Sequence, residues 1–241
     1  MSFETIYLSE TDSTNRWLKA HGDGRDLLVW TDYQTAGRGC GTNTWESERG
    51  KNILFSMLVH PMNVPAADQF ILSMANALAL KDTLAGYIDD VKIKWPNDIY
   101  WKNCKIGGTL IETTLQGRHI RDCIIGTGIN VNQGEFHSGA PNPVSLCQIL
   151  GHEVDREEVL HGVLDNAAKY MKMVNDGSWG AIRTYYRHQL YRLEETHDYR
   201  FADGSVVSCT LTGVTDDGHL ELLAVGQERY RLAFKEVQFI V

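Results

Sequence analysis

Two rhythms of hydrophobic and polar positions run along the chain, and the second replaces the first near residue 190. Before that point short apolar runs mix with stretches of helical period. Residues 3–8, 27–31 and the apolar 52–59 read as strands, and Asp12 or Ser13 is placed to cap a short helix through Ala20. Residues 68–86 carry Phe70, Met74, Ala77, Leu78 and Leu84 at helical spacing, which predicts the clearest helix, closed by Gly86. Residues 91–95 predict a strand stopped by Pro96. Residues 99–101 then turn through Lys102-Asn103-Cys104 into a hairpin with 105–114, which brings Lys105 beside the end of the preceding strand. A buried strand over 120–130 follows, and helices over 145–150, 156–175 and 179–189 cover the sheet. Strands and helices do not alternate as in a doubly wound sheet, so the class is α+β, with a mixed β-sheet flanked by helices.

From about Tyr191 a period of two takes over. Val206, Ser208, Thr210 and Thr212 alternate with Val207, Cys209 and Leu211. Asp217-Gly218 turns 211–214 into 220–225, and Gly226-Gln227 leads to a strand over 230–234. The expectation is two domains, 1–190 and 191–241, the second a small all-β barrel.

Composition narrows the partners. A chain of 241 residues, 43% hydrophobic, buries a sizeable core in one large domain or a medium and a small one. Lys and Arg total 23 against 31 Asp and Glu, a net charge of −8, and no basic run of five occurs. That disfavours DNA and RNA as partners. An anionic ligand then needs a local positive pocket, for which Arg38, Lys51, Lys92, Lys94, Lys102 and Lys105 are the material. The five cysteines, 40, 104, 123, 147 and 209, are scattered and never in a CxxC spacing, which fits reduced thiols in the cytoplasm. No leader peptide, membrane-spanning run, HExxH or GxSxG is read, so neither a structural metal nor a nucleophilic side chain is expected.

Candidate chemistry gathers in five short strings. In 37–45, GRGCGTNTW, three glycines expose main-chain N–H groups to an anion and Arg38 adds a forked cation; taken alone, the string equally suits a flexible turn. It is neither GxGxxG nor a Walker loop, because Trp45 stands where Gly50-Lys51 would need its earlier glycine. In 12–15, DSTN caps a helix with one residue and leaves others, with Gln34, to hydrogen-bond a small neutral heterocycle. In 94–98, KWPND, and 105–112, KIGGTLIE, two lysines, an amide and a carboxylate at successive strand ends suit phosphate and a magnesium anchor. In 126–130, GTGIN, the glycines permit close backbone approach and Asn130 offers a donor and an acceptor.

In this order the five strings resemble the biotin–protein ligases, over residues 7 to 132. The resemblance implies a catalytic domain of the class II aminoacyl-tRNA synthetase-like fold followed by an SH3-like barrel. It implies activation of biotin by ATP and Mg²⁺ to biotinyl-5′-AMP, then transfer to a lysine of a biotin carboxyl carrier protein. Around biotin it places Ser13, Thr14, Asn15, Gln34, Arg38, Gly39, Lys105, Gly107 and Gly108. Around the nucleotide it places Arg38, Trp45, Lys94, Asn97, Asp98, Lys105 and Asn130, with magnesium near Asp98. Lys105 and Arg38 are the catalytic cations, and Lys235 is a further candidate beside the nucleotide that spacing does not settle. The segment 37–52, with four glycines, is expected to order over the adenylate and exclude water.

Two departures from the family pattern stand out. Cys40 occupies the place of a second arginine found in many relatives, which predicts leakage of adenylate unless Lys51 or another residue compensates. The first string starts at Asp12, so no helix-turn-helix and no repressor activity are expected. A lipoate or octanoate ligase or transferase, a non-catalytic biotin sensor, and both monomer and homodimer remain compatible with the sequence.

Overall fold

The computed structural model describes residues 3–137 and 142–241. Its larger sheet has seven strands: β1 (Glu4–Leu8), β2 (Leu27–Thr31), β3 (Ile53–Val59), β4 (Val91–Lys94), β5 (Asp98–Trp101), β6 (Cys104–Gln116) and β7 (His119–Ile129). Their spatial order is β1-β2-β3-β7-β6-β5-β4. β1 and β2 pair parallel, because a helix, α1 (Thr14–His21), carries the chain back between them; every other pair is antiparallel. The mixed sheet and its flanking helices agree with the sequence reading.

One face of the sheet is covered by α2 (Phe70–Leu84), α4 (Arg156–Asn175) and α5 (Trp179–His188). Twelve of the fifteen residues of α2 are buried. A helix apolar on all sides belongs inside, and α2 is sandwiched between the sheet and α4. It ends at Leu84 with Ala85 as C-cap rather than at Gly86, and a separate 3-10 turn at Ala66–Asp68 precedes it. The opposite face carries α1, over a small cluster of Leu18, Leu27, Val29, Leu58 and Ile124. The rest of that face is left open for a site. A short helix, α3 (Leu146–Leu150), starts at a capping box between Ser145 and Gln148 and ends on left-handed Gly151.

The C-terminal strands β8 (Thr196–Phe201), β9 (Val206–Val214), β10 (Leu220–Ala224), β11 (Arg229–Leu232) and β12 (Val237–Phe239) form an antiparallel sheet of order β11-β10-β9-β8-β12. The alternation of 206–214 is realised, with Cys209 and Leu211 buried and Val206 and Ser208 exposed. The five strands do not close into a ring of hydrogen bonds: β11 and β12 are the two edges. The turn after β11 includes Lys235 at φ +76° and sends the three-residue β12 to pair with β8. The core nonetheless runs on without a break from α2 and β4 to Tyr199, Leu211, Leu220 and Phe239. Gly218 in the β9–β10 turn, at φ +93°, has no Cβ to strike Phe70, and its carbonyl accepts from Trp95 Nε1 at 2.9 Å.

Candidate active site

The strands bring four glycines to the middle of the sheet, where Gly108 pairs with Gly128 and Leu110 with Gly126. Paired residues share a face and neighbours along a strand alternate. Gly108, Gly126 and Gly128 therefore make a floor without Cβ atoms on the open face, and Gly107 lies on the other. The bareness is required: a Cβ on Gly126 would sit 2.0 Å from Asn15 Oδ1, and one on Gly128 2.3 Å from the Trp45 ring. Above this floor is a cavity of about 610 Å³.

At one end of the cavity is a cage of neutral polar groups. Ser13 holds the N-cap position of α1, yet its side chain makes no capping bond, and Ser13, Thr14 and Asn15 face the cavity. Asp12 turns outward, accepting from the Ser13 amide at 2.7 Å and pairing with Arg16. Main-chain bonds from Thr35 to Thr11 and from Ala36 to Asp12 lay the segment after β2 alongside, which puts Gln34 Oε1 2.8 Å from the Thr14 amide. Buried Ser56, from β3, lies with its Oγ 2.6 Å from both Thr14 Oγ1 and Asn15 Oδ1. Asn15 Nδ2 donates to Glu112 Oε2 at 2.8 Å, and the same oxygen accepts from Arg38 Nη2 at 2.9 Å.

The other end carries charge. Lys105 Nζ is 2.8 Å from Asp98 Oδ1 and 5.8 Å from the centre of the Trp45 ring. Their meeting follows from the β4–β5–β6 meander, in which Lys94 pairs with Asp98 and Tyr100 with Lys105. Lys94 Nζ donates to Tyr100 Oη at 3.1 Å under the Phe239 ring. Burial holds the Lys94 ammonium below its ordinary value of 10.5, partly offset by Asp98. Asn97 Nδ2 donates to the Thr109 carbonyl at 3.1 Å and Asn130 Nδ2 to the Val144 carbonyl at 3.1 Å, so both amides also fix the surrounding chain. Arg38, Lys94 and Lys105 against Glu46 and Asp98 leave the lining one charge positive within an acidic protein.

The 37–45 string folds as a small hairpin over the cavity. Trp45 N bonds to Gly37 O at 3.0 Å and Gly39 N to Asn43 O at 2.8 Å, with Gly41 at φ +69° in the tip. Cys40 is exposed there. A Cβ built on Gly41 would stand 2.7 Å from Lys235 Nζ, so Lys235 meets the loop tip. Arg38 Nε and Trp45 Nε1 are buried without a hydrogen-bond partner, two donors that a ligand in the cavity would satisfy.

Of the residues proposed from sequence, Ser13, Thr14, Asn15, Gln34, Arg38, Gly39, Trp45, Lys94, Asn97, Asp98, Lys105, Gly108 and Asn130 all line this one cavity. Gly107 does not, because strand alternation turns it away; it is close-packed 3.1 Å from Gly128 O, measured from a Cβ built on it. Nor do Lys51, Lys92 and Lys102 supply the positive pocket. Lys51 pairs with Glu153 at 2.6 Å, Lys92 is exposed on β4, and Lys102 lies over Trp101. Sequence reasoning missed Ser56 and Glu112. The one hydroxyl inside the apolar run of 52–59 was the signal for the first, and the even spacing of 108, 110 and 112 for the second.

For magnesium, the donor set gives a limited fit. Among the described residues no three His, Cys, Asp or Glu side chains converge to hold a metal, and Asp98 already accepts from Lys105. A single carboxylate suits only a magnesium ion whose other ligands arrive with nucleotide phosphates and water. Among the described residues, no helix is long and apolar enough to cross a membrane.

Comparison with known proteins agrees with this geometry. Residues 7–130 match the model of the biotin/lipoate A/B protein ligase family, the span that holds all five strings. The bifunctional ligase/repressor BirA of Bacillus subtilis is 34% identical over 163 residues, 65% of this chain and 49% of that protein. The chain thus spans about half the length of that relative. The biotin–[acetyl-CoA-carboxylase] ligase of Paracoccus denitrificans is 31% identical over 198 residues, 78% of this chain and 81% of that enzyme. A solved biotin protein ligase from Aquifex aeolicus, in complex with biotin and ATP, superposes with a TM-score of 0.82 at 26% identity, covering 98% of this chain and 99% of that one. With more than half its length in the family match and its five strings converging on one cavity, the chain belongs to the biotin/lipoate A/B protein ligase family.

Proposed function

We propose that the protein activates biotin with MgATP to biotinyl-5′-AMP and transfers the biotinyl group to a lysine of a biotin carboxyl carrier protein. The observation that carries this reading is the two-ended cavity: a cage of neutral donors and acceptors at one end, and cations at the other. Biotin's ureido head pairs donors with acceptors and matches Thr14, Asn15, Gln34 and Ser13. A lipoyl or octanoyl chain has no donors or acceptors to use the remaining hydrogen-bonding capacity of those groups and would cover them with apolar surface, a costly mismatch. The family covers both kinds of acid, so the cage is what favours biotin.

In this reading the biotin carboxylate attacks the α-phosphorus of ATP in line and pyrophosphate leaves. Negative charge grows on the phosphoryl oxygens, and Lys105 and Arg38 stand fixed to meet it. Lys94, Asn97, Asp98, Asn130 and the Trp45 ring hold the nucleotide, with magnesium carried in as its counter-ion. The carrier lysine, as free amine, then attacks the acyl carbon and AMP leaves with the bonding electrons. No side chain serves as nucleophile; the hairpin at 37–45 keeps water from the mixed anhydride.

Residues 1–190 form the catalytic unit in this reading, and 191–241, the SH3-like unit, lends Phe234 and Phe239 to the nucleotide end of the wall. Five unpaired thiols suit a reducing cytoplasm. Biotin-dependent ATP–pyrophosphate exchange, followed by mass analysis of a carrier domain with one modified lysine, tests the proposal. Exchange with lipoate or octanoate and none with biotin overturns it in favour of the other acids; biotin binding without exchange overturns it in favour of a sensor.

A further inference from the structure

One carboxylate outside the cavity lining governs both the cage and the loop. Glu112 lies on β6 on the same face as Gly108 and Leu110, and its Oε2 receives Asn15 Nδ2 at 2.8 Å and Arg38 Nη2 at 2.9 Å. An ionised carboxylate only accepts hydrogen bonds. Asn15 must therefore turn its NH₂ to Glu112 and its Oδ1 to Ser56, whose hydroxyl is 2.6 Å away. That contact takes the single proton of Ser56. The Ser56 oxygen is then left to accept from Thr14 Oγ1, also at 2.6 Å and nearer than the other acceptor of that hydroxyl, Gln34 Oε1 at 3.1 Å; either way Thr14 keeps a lone pair for a donor in the cavity. At the far end the Thr14 amide, a donor only, fixes Gln34 with Oε1 inward. Asn15 is held close over the floor, its Oδ1 resting where the Cβ of any residue but glycine at 126 would be, so the charge at Glu112 decides which end of its carboxamide faces Ser56.

Resting on the biotin reading above, we propose that Glu112 is a positioning residue for the acid substrate. Its charge sets the direction of the Asn15–Ser56–Thr14 relay, so that Thr14 meets an N–H of the substrate head as an acceptor. The same oxygen holds Arg38, and with it the hairpin, over the cavity. Head recognition and closure of the loop thus share one carboxylate. The sheet itself does not depend on it, since β6 is held by its main-chain ladder to β5 and β7 and the Glu112 side chain is 30% exposed.

The test is E112Q, which keeps the shape, discharges Arg38's partner and adds an NH₂ that can donate to Asn15 and reverse the relay. In biotin-dependent exchange the KM for biotin rises on the order of tenfold or more while kcat changes less, as expected for a lost charge-assisted contact. Adenylate released without carrier rises, and the melting temperature stays close to that of the parent. In an S56A background, where the relay is already cut, E112Q adds little further to the KM, because coupled sites are not additive. A parent-like KM and parent-like adenylate release in E112Q overturn the role of Glu112 alone. Should E112Q fail to fold, S56A decides by itself, an unchanged KM for biotin overturning the relay. No biotin-dependent exchange from the unaltered chain overturns the functional reading and this inference with it.

Discussion

Lys105 shows how far a residue's chemistry can be read before its neighbours are known. Its type and its place in a hairpin were legible; that it would sit 2.8 Å from Asp98 and face Trp45 depended on strands closing around it. K105A is expected to cut exchange on the order of a hundredfold to a thousandfold, the size of losing one preorganised transition-state contact. Calorimetry should still detect biotin binding to that variant; loss of binding together with exchange would show a role in holding the acid instead. Gly128 tests the bare floor. G128A pushes a methyl group to 2.3 Å from the Trp45 ring and should raise the KM for ATP, whereas G134A, with nothing within 4 Å of its Cβ, serves as the control. Equal effects from the two would remove the close-approach explanation. Glu112 and Ser56 escaped the sequence reading because neither is unusual in type; only their partners give them meaning.

Among the elements, local signals worked best where propensity and packing agree. The run at 156–175 became α4 with unchanged bounds, and the helix read over 145–150 became α3 with Ser145 as its N-cap, in a capping box with Gln148. S145A should lower unfolding free energy by about 1 kcal/mol in a denaturant titration. An unchanged midpoint would mean that the segment is held instead by its other bonds, from Val144, Leu146 and Cys147 N to the carbonyls of Lys105, Asn130 and Val131 and from Asn130 Nδ2 to Val144 O. DSTN went the other way: the capping reading gave way because α1 docks with these side chains toward the cavity. Lys51 pairs with Glu153 and does not line the cavity, whereas Lys235 is the cation that reaches the tip of the 37–45 hairpin. Measurable adenylate is therefore expected in the medium when the carrier is withheld, and C40R should reduce it several-fold. No detectable release from the parent would mean that the hairpin and Lys235 suffice.

For the molecule as a whole, long-range ties matter more than local propensity. Asp32, at the end of β2, accepts from Tyr7 Oη at 2.7 Å on β1 and Arg156 Nη2 at 2.9 Å on α4. Burial pushes its carboxyl upward, but these two hydrogen bonds together with the charges of Arg156 and Arg49 outweigh it and the net direction is below 3.8. A carboxyl depressed in the folded state stabilises it above the unfolded value and stops doing so as pH falls through the folded one. D32N should therefore lose about 2 kcal/mol of stability near neutral pH, judged from hydrogen bonds to a charged group. The melting curves of parent and variant should draw together below about pH 4. A gap that is constant down to strong acid would exclude ionisation as its source. The open C-terminal sheet belongs to this scale too: period-two alternation fixes which side chains are buried, but not which edge strand β12 joins.

The amino-acid sequence by itself determined the α+β class, nearly every strand and helix, and the residue types of the site, because periodicity, caps and turn residues act over a few positions. Only the tertiary structure decided that five strings spread over more than a hundred residues share one cavity. It alone decided that Gly107 faces away while Gly108 does not, that three of the six candidate cations lie elsewhere, and that Glu112 and Ser56 connect the rest. Those outcomes depend on strand order and register, which arise from contacts between residues far apart in the chain and leave little trace in any short stretch of it.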